Sequence, residues 1–360
     1  MLTQVVKFDE KRKKMHKKIS FGLNRLDFRS LDSFASDVRR LERLGWDYAF
    51  LPSSPLLMKD PYVMLAEGLR RSEQLTLGTL IENPVMRDPA VIAGSIATVD
   101  SIDPGRTLLG LGIGDTAVRL MGRRPATVLE LENATKTITS LLSGESVEVN
   151  AARSAKLRHS PSKSEDRPPV WIAAQGPKTL RMAGRVADGV FIRVGTHPAN
   201  LKHAIKQVHQ GASEVGRDKE DVEIAAIFHT ILEENADHAL SIARATAAGY
   251  YEHTASLFET ANLDWNGPRV DELRMKVWPD FHHAADMKSA GKLVSFLSEE
   301  SASAFSLRGS ASQISEQLSR IIEQEPSIGL VIPHPMPTPG SEGLITYTET
   351  LAKEVIPYFK

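Results

Sequence analysis

Short apolar runs rich in β-branched residues alternate along the chain with longer segments of helical period. Eight such runs are readable, at 19–23, 48–51, 75–81, 107–113, 170–174, 189–194, 222–232 and 328–333. They are continuously apolar rather than alternating, the pattern of strands buried on both faces in a parallel sheet. Segments 30–45, 60–72, 88–102, 177–188, 197–216, 310–324 and 341–356 place apolar residues at helical spacing. Ser30 reads as an N-cap. Asp60-Pro61 and Asp88-Pro89 set an acidic cap before a proline at the first helical position, where the missing N–H costs nothing.

Eight strand-then-helix units predict an α/β fold, a closed (β/α)8 TIM barrel, with an open doubly wound sheet as the alternative. Two connections exceed simple loops, 114–169 after the fourth strand and 233–327 after the seventh. Insertions are expected there, including a polar, mobile stretch at 152–169 and a His- and Trp-containing segment near 251–300. No finer repeat and no separate domain boundary is visible.

Charge and composition narrow the function. Lys and Arg number 44 against 45 Asp and Glu, a net charge of −1, so no global field holds a polyanion and nucleic acid is not an expected partner. The chain has no cysteine, which excludes disulfide scaffolds, thiol catalysis and the common zinc sites. Positive charge gathers in the first eighteen residues, where seven basic side chains face Asp9 and Glu10. Residues 1–17 are expected to be a disordered basic tail, followed by a single domain over 18–360. ISFGLN (19–24) is too short and polar for a secretory signal, and the longest mainly apolar stretch, 90–99, is too short to span a membrane. The expected location is cytoplasmic, with no membrane partner.

In a (β/α)8 barrel, chemistry gathers at the C-terminal ends of the strands. The residues following each run are therefore the candidates: Asn24 and Arg25; Pro52, Ser53 and Ser54; Glu82, Asn83 and Pro84; Gly114 and Asp115; Gln175 and Gly176; Gly195 and Thr196; and His334, Pro335 and Met336. The seventh run has a less definite end, which makes His229 and Thr230 provisional. GLGIGD (110–115) matches a dinucleotide fingerprint poorly, because the third glycine is missing at the right spacing. Its glycines would let a flat ring approach the backbone, with Asp115 at the rim, or would serve barrel packing alone. Gln175-Gly176-Pro177 opens a helix whose free N–H groups suit an anion. Gly195 and Thr196 would supply a second donor set, and the two sets favour a phosphate-bearing cofactor over a bare carboxylate, with ordinary capping as the competing reading. No HExxH, GxSxG or P-loop motif is present, so no metal is expected; His203, His209, His282 and His283 read as surface residues, and His334 is kept for its strand end.

LTLGTLIENPVMRDPAVIAGSIATVDSIDPGRTLLGLGIGD (75–115) and PPVWIAAQGPKTLRMAGRVADGVFIRVG (168–195) resemble the bacterial luciferase-like monooxygenase family, above all its deazaflavin-dependent branch that contains methylenetetrahydromethanopterin reductase. The resemblance covers nearly the whole chain from about residue 18. It implies a luciferase-like barrel that uses FMN or coenzyme F420 for hydride transfer or monooxygenation of a small organic substrate, and a homodimer. At Leu80-Ile81 it implies a non-prolyl cis peptide against the cofactor ring, with Asn83, Gly112 and Gly114 beside it. The phosphate site of relatives falls on Ala174, Gln175, Gly176, Gly195 and Thr196. Asp115 stands where sugar-phosphate dehydrogenases of this branch carry a proton-donating Glu. Two departures stand out. Pro52-Ser53-Ser54 replaces the usual acid-His pair, leaving Ser53, Ser54 and His334 on the substrate side, and Asn24 replaces a Glu, with Glu82 as the compensating acid, so the catalytic candidates are Asp115, Glu82 and Asn24, with Asp115 or Glu82 handling the proton. Competing functions are a non-catalytic flavin-binding member and a cofactor-free barrel hydrolase.

Overall fold

A computed structural model describes residues 18–150, 153–160 and 164–360; the basic tail foreseen at 1–17 lies outside the described residues. Each of the eight foreseen strands is present: β1 (Ser20–Leu23), β2 (Tyr48–Leu51), β3 (Thr76–Thr79), β4 (Thr107–Leu111), β7 (Val170–Ala174), β8 (Gly189–Ile192), β9 (Glu223–Leu232) and β11 (Ile328–Pro335). Neighbours are parallel in the order β11-β1-β2-β3-β4-β7-β8, and β9 bonds both β11 and β8, so the order closes on itself. The fold is a (β/α)8 barrel, and the open-sheet alternative falls. Between β4 and β7 the chain adds an antiparallel hairpin, β5 (Ser146–Asn150) with β6 (Arg153–Lys156), inside the insertion expected at 114–169, and only its second strand overlaps the stretch foreseen as mobile. A three-residue strand, β10 (Leu307–Gly309), extends the edge of β9.

The foreseen caps form. Ser30 closes a capping box with Ser33, and the Asp60 and Asp88 carboxylates accept from the first free N–H groups beyond Pro61 and Pro89.

The chain divides into two compact units. The first comprises 22–192 and 206–224. In it Phe191 packs edge-on to Phe50 at 5.3 Å and against Trp171 at 5.0 Å. Its helices Pro177–Val186 and 206–214 cross closely because a side chain at Gly184 would run into the Val208 carbonyl and one at Gly211 into the Arg181 carbonyl. The second comprises 18–21 together with 193–205 and 225–360. There helix Ala236–Thr254 packs on Met287–Leu293 at Gly291, and Phe258 stacks on Phe305 at 4.8 Å. Phe21 meets Phe359 at 5.7 Å, and the Ile19 N–H donates to the Phe359 carbonyl at 3.0 Å.

Candidate active site

In the first unit, the end of β3 carries the densest set of foreseen residues. The Thr79 hydroxyl donates to the Gly110 carbonyl at 2.8 Å and accepts the Gly110 N–H at 3.0 Å, a side chain taking the place of ladder backbone. Gly110 has to be glycine, because a Cβ there would collide with the Thr79 carbonyl. Beyond Thr79 the Leu80-Ile81 peptide is cis. The segment is tied on both sides: Leu80 N–H to the Leu51 carbonyl at 2.8 Å, Ser53 N–H to the Ile81 carbonyl at 3.2 Å, Glu82 N–H to Gly110 at 2.8 Å and Gly112 N–H to Glu82 at 3.0 Å. Ile81 covers Gly112 so closely that a Cβ would meet its Cδ1, and Gly114, at φ +75°, has Val118 and Asn83 against it. Here these two glycines serve close packing of the Leu80–Asn83 segment, one of the two roles open from sequence.

Glu82 is fully buried. Its Oε1 accepts the Asn83 N–H at 2.8 Å, and its Oε2 lies 3.3 Å from Arg87 Nε without an aligned hydrogen bond. Burial is the main influence on its carboxyl and pushes its pKa up, against the Asn83 N–H, the Ser53 and Tyr62 hydroxyls and the Arg87 charge, which pull it down. Arg87 also donates to Asp60 at 2.6 Å and lies 4.9 Å over the Tyr62 ring. Asp60 in turn caps its helix through the N–H groups of Tyr62 and Val63. Tyr62, buried and next to Glu82, has its phenol pushed well above the usual range by burial and then by the neighbouring carboxylate. Tyr62 and Arg87 were not foreseen; only the Asp-Pro start of the helix pointed to that place. Asn83 is buried, its Oδ1 taking the Met86 N–H at 3.0 Å. Ser53 is buried and Ser54 half-buried.

Asp115 has the opposite surroundings: its side chain is 56% exposed and pairs with Arg119 one turn along. Asn24, just past β1, is half-buried. Ala174 ends β7, followed by half-buried Gln175 and Gly176. Gly176 is the N-cap of helix Pro177–Val186, no side chain caps that start, and the space over its Cα is open for 4 Å. An uncapped helix start with room above it fits a phosphate.

In the second unit, Gly195 adopts φ +81° with Ala304 and Phe305 against it. The second donor set foreseen there needs correction. The N–H groups of Thr196 and His197 both donate to the Ala304 carbonyl, at 2.8 and 3.0 Å, and the Thr196 hydroxyl donates to the Ser303 carbonyl at 2.8 Å. These donors are consumed by the chain itself. His334, half-buried on β11, lies 5.2 Å from the His229 ring. His282 also needs correction: it is buried beside His229 and Arg193, not on the surface. Among the described residues, no group of three His, Asp or Glu side chains could hold a metal, and no helix is long and apolar enough to cross a membrane.

A parallel barrel with its acids and an open helix start at the C-terminal strand ends belongs to the broad class of barrel enzymes. Comparison with known proteins narrows this. The sequence profile of the family described as luciferase-like monooxygenase matches residues 16–325, and the chain belongs to that family. The 5,10-methylenetetrahydromethanopterin reductase of Methanolobus tindarius is 30% identical over 238 residues, 64% of this chain and 71% of that protein. Among solved structures, the coenzyme F420 dependent tetrahydromethanopterin reductase of Methanopyrus kandleri superposes with a TM-score of 0.76 at 22% identity, over 95% of this chain and all of that one. The oxygenating constituent of 3,6-diketocamphane monooxygenase from Pseudomonas putida, in complex with FMN, does so with a TM-score of 0.61 at 15% identity, over 94% and 98%.

Proposed function

We propose that the protein is an oxidoreductase that binds coenzyme F420 or FMN and acts on a small organic molecule. The observation that carries this reading is the family match over residues 16–325. The fit of the site supports it: the open, uncapped helix start at Gly176 suits a cofactor phosphate, and the Leu80–Asn83 segment, anchored by its backbone bonds and the Glu82 carboxylate, offers a firm wall for a flat ring. When bound, such a ring supplies the two-electron chemistry that no side chain here provides.

The protein's own work is positioning and proton handling. Ala174, Gln175 and Gly176 hold the phosphate end, and Leu80, Ile81 and Asn83 back the ring. Glu82 is a positioning residue: its carboxyl is buried, with Oε1 taking the Asn83 N–H and Oε2 facing the Arg87 charge. Asp115 is exposed enough to reach a substrate and is assigned the proton transfer, with Asn24, Ser53 and Ser54 on the substrate side. Holding both reactants in register supplies most of the rate.

A visible absorption spectrum of the purified protein, with identification of the compound released on denaturation, tests the reading and separates FMN from the deazaflavin. Asp115→Asn is expected to keep cofactor affinity within about threefold and to lose about 10²-fold or more in kcat, the usual scale for a general acid. Full turnover in that variant removes Asp115 from the reaction. Failure of both cofactors to bind removes the oxidoreductase reading and leaves the hydrolase.

A further inference from the structure

The second unit contains a charged group that neither the fold nor the proposed reaction uses. Arg193 directly follows β8, at the C-terminal end where barrel chemistry gathers, and is partly exposed. Its Nη2 lies 3.2 Å from His229 Nε2 and 3.2 Å from His282 Nδ1. The Arg193 guanidinium also faces the Tyr250 ring, 5.9 Å from its centroid. His229, His282 and Tyr250 are all at least nine-tenths buried.

A guanidinium only donates, so both imidazole nitrogens facing Arg193 must accept, which places the ring protons on His229 Nδ1 and His282 Nε2. Those two buried N–H groups have no hydrogen-bond partner among the described residues. Burial, and then the Arg193 charge, hold both imidazoles well below their usual pKa, so they stay neutral and continue to accept. The Tyr250 phenol is pushed up by burial and remains a neutral partner. The other titratable side chains facing the cluster are His334 on β11, His253 stacked on His282 at 5.6 Å, and His283, whose Nδ1 is 2.8 Å from Asp280. Among the described residues, no carboxylate lies within 4.0 Å of Arg193. A fork-shaped cation fixed in place by three neutral groups, beside two orphaned donors and without a counter-charge, is an incomplete ion pair. Leaving a partly buried cation unpaired is costly, and a ligand that brings the missing charge recovers that cost.

We propose that Arg193, held in register by His229, His282 and Tyr250, binds the oxyanion of a carboxylate- or phosphate-bearing ligand. Two sources share that chemistry: an anionic substituent on the substrate and, in place of the seat proposed for it at Gly176, the phosphate of the cofactor. The site goes beyond the proposed reaction, because it binds its anion whether or not hydride is transferred.

Inorganic phosphate titrated into the full-length protein is the test, followed through the imidazole NMR signals of His229 and His282. Saturable shifts of both signals are expected, with affinity weakened at least tenfold in Arg193→Gln and partly restored in Arg193→Lys, which keeps the charge and loses the fork. Absence of any shift in the wild-type protein overturns the proposal, and this arm needs no variant to fold. An undiminished response in a folded Arg193→Gln protein overturns it equally. Repeating the titration with FMN and with riboflavin separates the sources. If FMN blocks the phosphate response and riboflavin does not, the cofactor's phosphate occupies Arg193; if the response persists in the FMN-saturated protein, the anion belongs to the substrate. A protein that binds phosphate at Arg193 but neither flavin nor deazaflavin would retain this site and lose the oxidoreductase reading.

Discussion

Glu82 and Asp115 are both acids at strand ends, but the first is sealed among Ser53, Tyr62, Asn83 and Arg87 while the second stands in solvent beside Arg119. The difference is testable through pH. Because burial raises the Glu82 pKa in the folded state, the folded protein binds more protons than the unfolded chain between the two pKa values. The contribution of Glu82 to stability is therefore fully present below its unfolded pKa and is lost as pH rises through the folded one. Glu82→Gln keeps the acceptor for the Asn83 N–H and cannot ionise. The melting temperature of the wild type is expected to fall relative to that variant as pH rises from the ordinary Glu range, about pH 4, through the raised folded-state value. A constant or widening advantage for the wild type over that range would show that Glu82 does not titrate upward. Apart from the helix caps, single residues were legible only where strand ends announced them. Tyr62 and Arg87 were not, because their meeting with Glu82 depends on which elements lie side by side. His282 was misread as surface for the same reason: no periodicity frames the segment in which it sits.

Elements were the most legible scale, because their signals are local. Continuous apolar runs marked the eight strands, and Ser30, Asp60 and Asp88 marked helix starts that the side chains do cap. The β5–β6 hairpin and β10 escaped: the first lies in polar sequence, and three residues are too few to show a period. Glycines resist reading in a different way. Sequence shows where the chain lacks a side chain but not what occupies the vacated space, so Gly112 and Gly114 fitted a cofactor ring as well as they fit Ile81 and Val118. Gly184 and Gly211 make the point between helices, where each sits against the backbone of the other element. Gly211→Ala gains helix propensity but has to force the Arg181 carbonyl away, and is expected to cost about 1–3 kcal/mol net, measured as a shift of the denaturation midpoint. A neutral or stabilised variant would mean that the two helices part without penalty.

At the scale of the whole molecule, the order of strands closes, and everything proposed for the site depends on the ends of strands being held in fixed sequence around that order. Ligand binding should be visible as stability. A cofactor held at a hundredfold its Kd adds about 2.7 kcal/mol to unfolding, so FMN or F420, whichever is native, is expected to raise the melting temperature where the other does not. Equal and negligible shifts with both would count against a resident redox cofactor. The link between Ile19 and Phe359, together with the pairing of Ser20 with Leu330, has a bearing on folding. β1 takes one of its hydrogen-bonded neighbours from β11, far along the chain, and the Ile19 N–H is bonded only once Phe359 is in place. Until β11 arrives, β1 keeps an open strand edge, exposed to wrong partners in the meantime.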